Sequence, residues 1–187
     1  MVRNISLFVL FTTLALLLGL FFNGNITIPN VPLPALGKFL NPSTGVWNNA
    51  RKESSTDLKN FKVSDEIEII FDERAIPHIF TKNHLDALFA EGYLEASNRL
   101  FQMDFISRAT MSRLSEVLGP SALPMDQERL RKGTAIAADI AVAQLAKQAE
   151  SLKAVEAYVA GVNAYILNLK PKDYPIEYKL LGFKPEP

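Results

Sequence analysis

"GYLEASNRLFQMDFISR", residues 92–108, carries Tyr93, Phe101, Phe105 and Met103 with charges of both signs on what reads as one helix. Around it, Leu85, Leu88, Phe89, Gly92, Tyr93, Ala96, Leu100 and Met103 recur at spacings of three and four, the period of a helix with one buried stripe. Asn83 stands where an N-cap belongs, and Gly119-Pro120 supplies a C-terminal stop. The expected helix bends near Thr110 and continues through Leu114 and Val117. Gly92 and Ala96 lie one turn apart on the stripe, where small side chains let a second backbone approach. The aromatic stripe of Phe89, Tyr93, Phe101 and Phe105 reads as core. Arg99, Gln102 and Arg108 read as buried or half-buried hydrogen-bonding partners, because a guanidinium can tie helix ends and loops through several donors.

Upstream, "EIEIIFDERAIPHIF" at residues 66–80 alternates. Ile67, Ile69 and Phe71 fall on one face and Glu66, Glu68 and Asp72 on the other, so a β-hairpin is expected with its turn between Asp72 and Pro77. Downstream, Asp126 is placed to cap a short helix ending at Lys132, Thr134 an Ala-rich helix to about Gln148, and Ser151 a further helix. That last helix presents Leu152, Val155, Tyr158, Val159, Val162, Tyr165, Ile166 and Leu169 on one broad face and stops at Pro171. "YPIEYKLLGFKPEP" closes the chain as a loop or strand-like tail.

The N-terminus has a different composition. After Arg3, residues 5–22 carry no charge and would span roughly 27 Å as a helix. Phe21 and Phe22 stand where a cleavage site would need small residues, which favours a signal anchor over a cleaved signal peptide in residues 1–22. Arg3 on one flank places the body across the membrane, in the periplasm or outside the cell. Residues 23–64 hold Pro29, Pro32, Pro34 and Pro42 and read as a Pro-rich, membrane-proximal tether to a domain over 65–187.

Charge and cysteine content narrow the chemistry. Lys and Arg number 20 against 20 Asp and Glu, which removes the electrostatic case for a nucleic-acid partner. The 187 residues include no cysteine, so thiolate zinc sites, disulfides and a cysteine nucleophile are excluded. His78 and His84, the two histidines, are six apart and make no metal spacing. Glu91 and Glu95 share a solvated helix face; a carboxylate metal site there would need ligands from other helices. No glycine-rich phosphate loop, EF-hand loop or G-x-S-x-G elbow occurs. From the residues alone, this is a helical body with no complete catalytic apparatus.

Five stretches in order resemble the amino-terminal part of the penicillin acylase (penicillin amidase) family: "DERAIPHIF", "DALFAEGYLEASNRLFQMDFISR", "LSEVLGP", "AYVAGVNAYI" and "PIEYKLLGFKPEP". The resemblance implies a mostly helical α+β fragment with an N-terminal hairpin, part of the αββα fold of an N-terminal nucleophile hydrolase when complete. It implies an exported hydrolase of linear amides, whose catalytic serine opens a β chain that is absent here and uses its own α-amine as base. No catalytic, substrate-binding or metal residue is thereby carried onto this chain. The positions matching the family pattern are scaffold: Pro77, His78, Gly92, Tyr93, Arg99, Gln102, Met103 and Gly119. Implied partners are the remainder of the α chain and the β chain of the same precursor, with the membrane held through residues 5–22. Calcium is expected only in the complete protein, and the end at "KPEP" is expected to reflect truncation. The family's hairpin commonly has glycine where this chain has Ala75, and many members have aspartate where it has Asn98. A non-catalytic, membrane-tethered helical binding module is the alternative reading.

Overall fold

The computed structural model describes residues 2–22, 36–50 and 63–187. In chain order its elements are α1 (Val2–Phe22), α2 (Leu36–Phe39), β1 (Glu68–Phe71), β2 (Pro77–Phe80), α3 (His84–Thr110), α4 (Ser115–Leu118), α5 (Leu123–Lys132), α6 (Thr134–Leu145), α7 (Ala149–Asn168) and α8 (Ile176–Leu181). Short 3-10 turns occupy Val46–Ala50, Pro120–Ala122 and Pro171–Asp173. The chain is thus mostly helical with one antiparallel hairpin, in the pairing Glu68 with Phe80 through Phe71 with Pro77. It divides into two units, Met1–Glu53 with Lys170–Lys184, and Ser54–Leu169 with Pro185–Pro187.

In the first unit, Lys179 of α8 joins three segments. Its ammonium donates to the Gly45 carbonyl at 3.0 Å, Asn49 Oδ1 at 2.7 Å and the Lys172 carbonyl at 2.8 Å. Beside it Tyr178, 0% exposed, lies with its ring 4.8 Å from that of Phe183. The expected loop or strand at residues 174–187 is therefore in part a helix. Pro175 stands at its N-cap and Gly182, at φ 76°, ends it. The tether reading falls largely on residues 23–35 and 51–62, which lie outside the described residues; residues 36–50 form α2 and a 3-10 turn.

The membrane expectation is corrected. Side chains of α1 are described over residues 5–20, and Thr12 and Thr13 turn their hydroxyls back onto the Val9 carbonyl at 2.9 and 2.7 Å. Among the described residues no helix is long and apolar enough to cross a membrane. The anchor, and the periplasmic or external placement of the body built on it, are not carried further.

The second unit is organised by a few capping groups. Asn83 Oδ1 accepts the Leu85 N–H at 2.9 Å, as its position in the sequence implied. One turn on, the buried Asp86 carboxylate accepts the N–H groups of Ser64 and Asp65 at 3.0 and 3.1 Å and fixes the chain entering the hairpin. The hairpin turn is held by Asp72, whose Oδ1 accepts from Arg74 and Ile76 at 2.9 and 2.8 Å. Ala75 in that turn has φ 59°, a left-handed conformation that glycine adopts without strain.

Helix α3 kinks at Arg99 (φ −139°, ψ 24°), not near Thr110. The cause is local: Ser97 Oγ and Asn98 Nδ2 both donate to the Leu94 carbonyl, at 2.7 and 2.8 Å, and compete for the acceptor of the next turn. At Thr110 the helix ends. Ser112 takes φ 60°, and the Arg113 N–H closes back on the Arg108 carbonyl at 2.8 Å, a left-handed cap built on serine where glycine is usual. Leu114 and Val117 therefore belong to the following turn and α4.

Candidate functional site

The core of the second unit is the crossing of α3 and α7. It is formed by two glycines. A Cβ on Gly92 would sit 3.0 Å from the Tyr158 carbonyl carbon and still nearer its oxygen. One on Gly161 would lie 2.9 Å from the Phe89 carbonyl carbon and the Tyr93 nitrogen, with the Phe89 oxygen nearer again. Backbone therefore meets backbone, and Ala96 and Leu100 are buried along the same stripe. Tyr93 meets Tyr165 edge to face across the crossing, with ring centroids 5.3 Å apart. At its rim the Tyr158 hydroxyl donates to the Glu95 carboxylate. That hydrogen bond, with burial and the charge of Glu95, raises the phenol to about 12.

A second cluster surrounds Arg108, whose side chain is 7% exposed. Its Nε donates to Asp104 at 2.7 Å, one terminal nitrogen donates to Glu116 at 2.9 Å, and the other faces Glu186 at 3.6 Å. Glu116 is shared: Arg113 also donates to it, at 2.8 and 2.9 Å. The hydrogen bond from Arg113 holds the Glu116 carboxyl below its usual range and raises the Arg113 guanidinium.

Asp126, 2% exposed, completes this corner. Its carboxylate accepts the Leu114 and Ser115 N–H groups at 2.9 and 2.8 Å and so caps α4. The expectation that it caps its own helix is corrected, since α5 begins at Leu123 and Pro124 lies in its first turn. Burial opposes the Asp126 charge, but hydrogen bonds from Ser115 and the Leu114 N–H outweigh it, and the carboxyl lies below its usual range.

The family-pattern residues are thus dispersed. Gly92 and Tyr93 are at the helix crossing, and Met103 is half-buried on α3. Gly119 terminates α4 at φ 77°. Pro77 and His78 lie exposed on β2, with His78 3.8 Å from Asp72. Arg99 and Gln102 are exposed, against the expectation of burial, since they lie on the side of α3 away from buried Leu100; Arg108 is the buried guanidinium. Gly161 was not singled out by the sequence reading, although Ala154, Ala157, Gly161 and Ala164 form a small-residue row at helical spacing.

No group of three or more His, Asp or Glu side chains among the described residues could hold a metal ion. The carboxylates that do gather, Asp104, Glu116 and Glu186, surround the Arg108 guanidinium. The chemistry available is positional: a rigid helix pair, a hairpin and a charged corner.

The sequence profile of the Penicillin amidase family matches residues 66–187. Penicillin acylase 2 proenzyme of Pseudomonas sp. (strain SE83) is 37% identical over 125 residues, covering 67% of this chain and 16% of that protein. Penicillin G acylase of Escherichia coli is 34% identical over 128 residues, covering 66% and 15%. Acyl-homoserine lactone acylase QuiP of Pseudomonas aeruginosa is 35% identical over 111 residues, covering 59% and 13%. Among solved structures, the thermostable penicillin G acylase from Alcaligenes faecalis superposes with a TM-score of 0.58 at 30% identity, over 65% of each chain. The chain therefore spans about one-sixth of the curated relatives' length.

Proposed function

The chain belongs to the penicillin amidase family, and from that premise we propose that it is the amino-terminal scaffold segment of an enzyme hydrolysing the amide bond of an N-acyl substrate. The nucleophilic serine, its α-amine base and the oxyanion donors are supplied from outside these residues. What this chain contributes is the α3–α7 pair and the hairpin, elements that hold their geometry without substrate. A hairpin of two four-residue strands is marginal by itself, which supports its joining a larger sheet in a layered αββα fold. The remaining α-chain residues and a β chain of the same precursor are its partners. Calcium, where the complete protein holds it, takes its ligands from elsewhere.

The observation carrying this reading is that the family match begins at the hairpin and runs through α3 and α7, with no nucleophile–base pair described within it. The acyl group is set by pocket residues beyond this segment.

The test is complementation. The chain is co-expressed with the Escherichia coli relative lacking its matching segment, and hydrolysis of a chromogenic N-acyl anilide is followed. Activity in the pair and none in either part is expected. Full activity of the 187-residue chain alone would overturn the scaffold assignment. An inactive pair that nonetheless forms a stable complex would support the non-catalytic binding module, for which the exposed Ile136 and Ile140, one turn apart on α6, offer an apolar face.

A further inference from the structure

The corner around Arg108 holds a feature that family membership does not require. The chain leaves the second unit after Leu169 and rejoins it at Pro185. At the point of return Pro185 is buried, and the next residue, Glu186, places Oε2 3.6 Å from an Arg108 terminal nitrogen. The three carboxylates on Arg108 differ in kind. Asp104 and Glu116 come from within and beside α3 and make direct hydrogen bonds at 2.7 and 2.9 Å. Glu186 comes from 78 positions away along the chain, is 53% exposed, and stands beyond hydrogen-bond length, so its attraction is an ion pair open to solvent on the Glu186 side alone. Its charge also acts on Arg113.

We propose that Arg108 is a reversible clasp for the returning segment, residues 185–187. The guanidinium is held permanently by Asp104 and Glu116, and its third side captures or releases Glu186 without disturbing those bonds. Opening the clasp leaves α3, α4 and their caps intact and releases residues 185–187. Arg108 is buried but Glu186 is half-exposed, so salt weakens the pair from the Glu186 side: the Debye length falls from about 10 Å at 0.1 M salt to about 3 Å at 1 M. The inference does not depend on the amidase reading.

The chain has no cysteine, so Pro187→Cys gives a single site for a nitroxide label. Electron paramagnetic resonance of the labelled 187-residue chain at low salt should resolve an immobilised and a mobile population. Glu186→Lys, which sets a cation against Arg108 and Arg113, should raise the mobile-to-immobile ratio roughly two- to fivefold, the range for an exposed ion pair. Raising salt to about 1 M should move the parent protein the same way and, by screening the new repulsion, move Glu186→Lys the opposite way. In an Arg108→Gln background, where Arg113 alone of the two still opposes the new cation, Glu186→Lys should have a clearly smaller effect. Equal ratios in the parent and Glu186→Lys at low salt would show that burial of Pro185 alone holds the segment and would overturn the clasp. The same change persisting in folded Arg108→Gln would also overturn it. Should Arg108→Gln lose its helical circular dichroism, Glu186→Gln decides in its place, with a salt-insensitive spectrum expected if the clasp exists and unaltered salt sensitivity if it does not.

Discussion

Replacing Gly161 by alanine adds one methyl group at the point where α7 rests on α3. The new carbon would lie 2.9 Å from the Phe89 carbonyl carbon and the Tyr93 nitrogen. Both are backbone atoms inside a helix, so no rotamer change relieves the overlap and the helices must move apart. Overpacking of this kind costs about 1–3 kcal/mol, and a backbone obstacle places it at the upper end. Alanine recovers roughly 0.8–1 kcal/mol of helix propensity over glycine, which leaves a net loss of about 2 kcal/mol. For a chain of this size that lowers the melting temperature by about 4–8 °C. Urea unfolding followed by far-ultraviolet circular dichroism measures it, with Ala160→Gly on the exposed face of α7 as the propensity control. A Gly161→Ala protein as stable as its parent would refute the backbone-to-backbone crossing.

Other consequences are equally direct. Ala75→Gly relieves the positive φ of the hairpin turn and should stabilise by about 0.5–1 kcal/mol in the same urea assay. Ser112→Gly should do at least as well, because it also removes a buried hydroxyl with no partner. Asp126→Ala leaves the Leu114 and Ser115 N–H groups without their acceptor, and thermal melts should show a loss of about 1–3 kcal/mol. Since the folded Asp126 carboxyl titrates below its unfolded value, its contribution is complete above the ordinary aspartate range and disappears as pH falls through the depressed value. The gap between Asp126→Ala and the parent should therefore close in acid and stay constant near neutrality. Tyr158, raised to about 12 by Glu95, stabilises fully below the ordinary tyrosine range and loses that contribution as pH rises through its own value. Absorbance titration should show one phenol ionising late, abolished in Tyr158→Phe and shifted down in Glu95→Gln.

Local chemistry was legible in the sequence where one residue decides the outcome. Asn83 as a cap, the hairpin from alternation, the stop at Gly119 and the close approach at Gly92 and Ala96 all follow from side-chain size or capping geometry. The helix break before α4 was hidden because Ser112, not glycine, takes the left-handed position. The kink at Arg99 arises from two neighbouring polar side chains converging on one carbonyl, which periodicity does not register. α8 was read as irregular because its six residues are too few to show a period. Gly161 and the partners of Arg108 depend on residues distant in the chain: α7 had to be placed on α3 before its glycine acquired a meaning. The catalytic reading came from resemblance alone.

Sequencing the gene through and past the codon for Pro187 tests the central claim most directly. The account predicts a continuing reading frame that supplies a serine at a processing junction, so that the α3–α7 scaffold is completed by its nucleophile. A stop codon at that point, with no such serine encoded downstream, would contradict it.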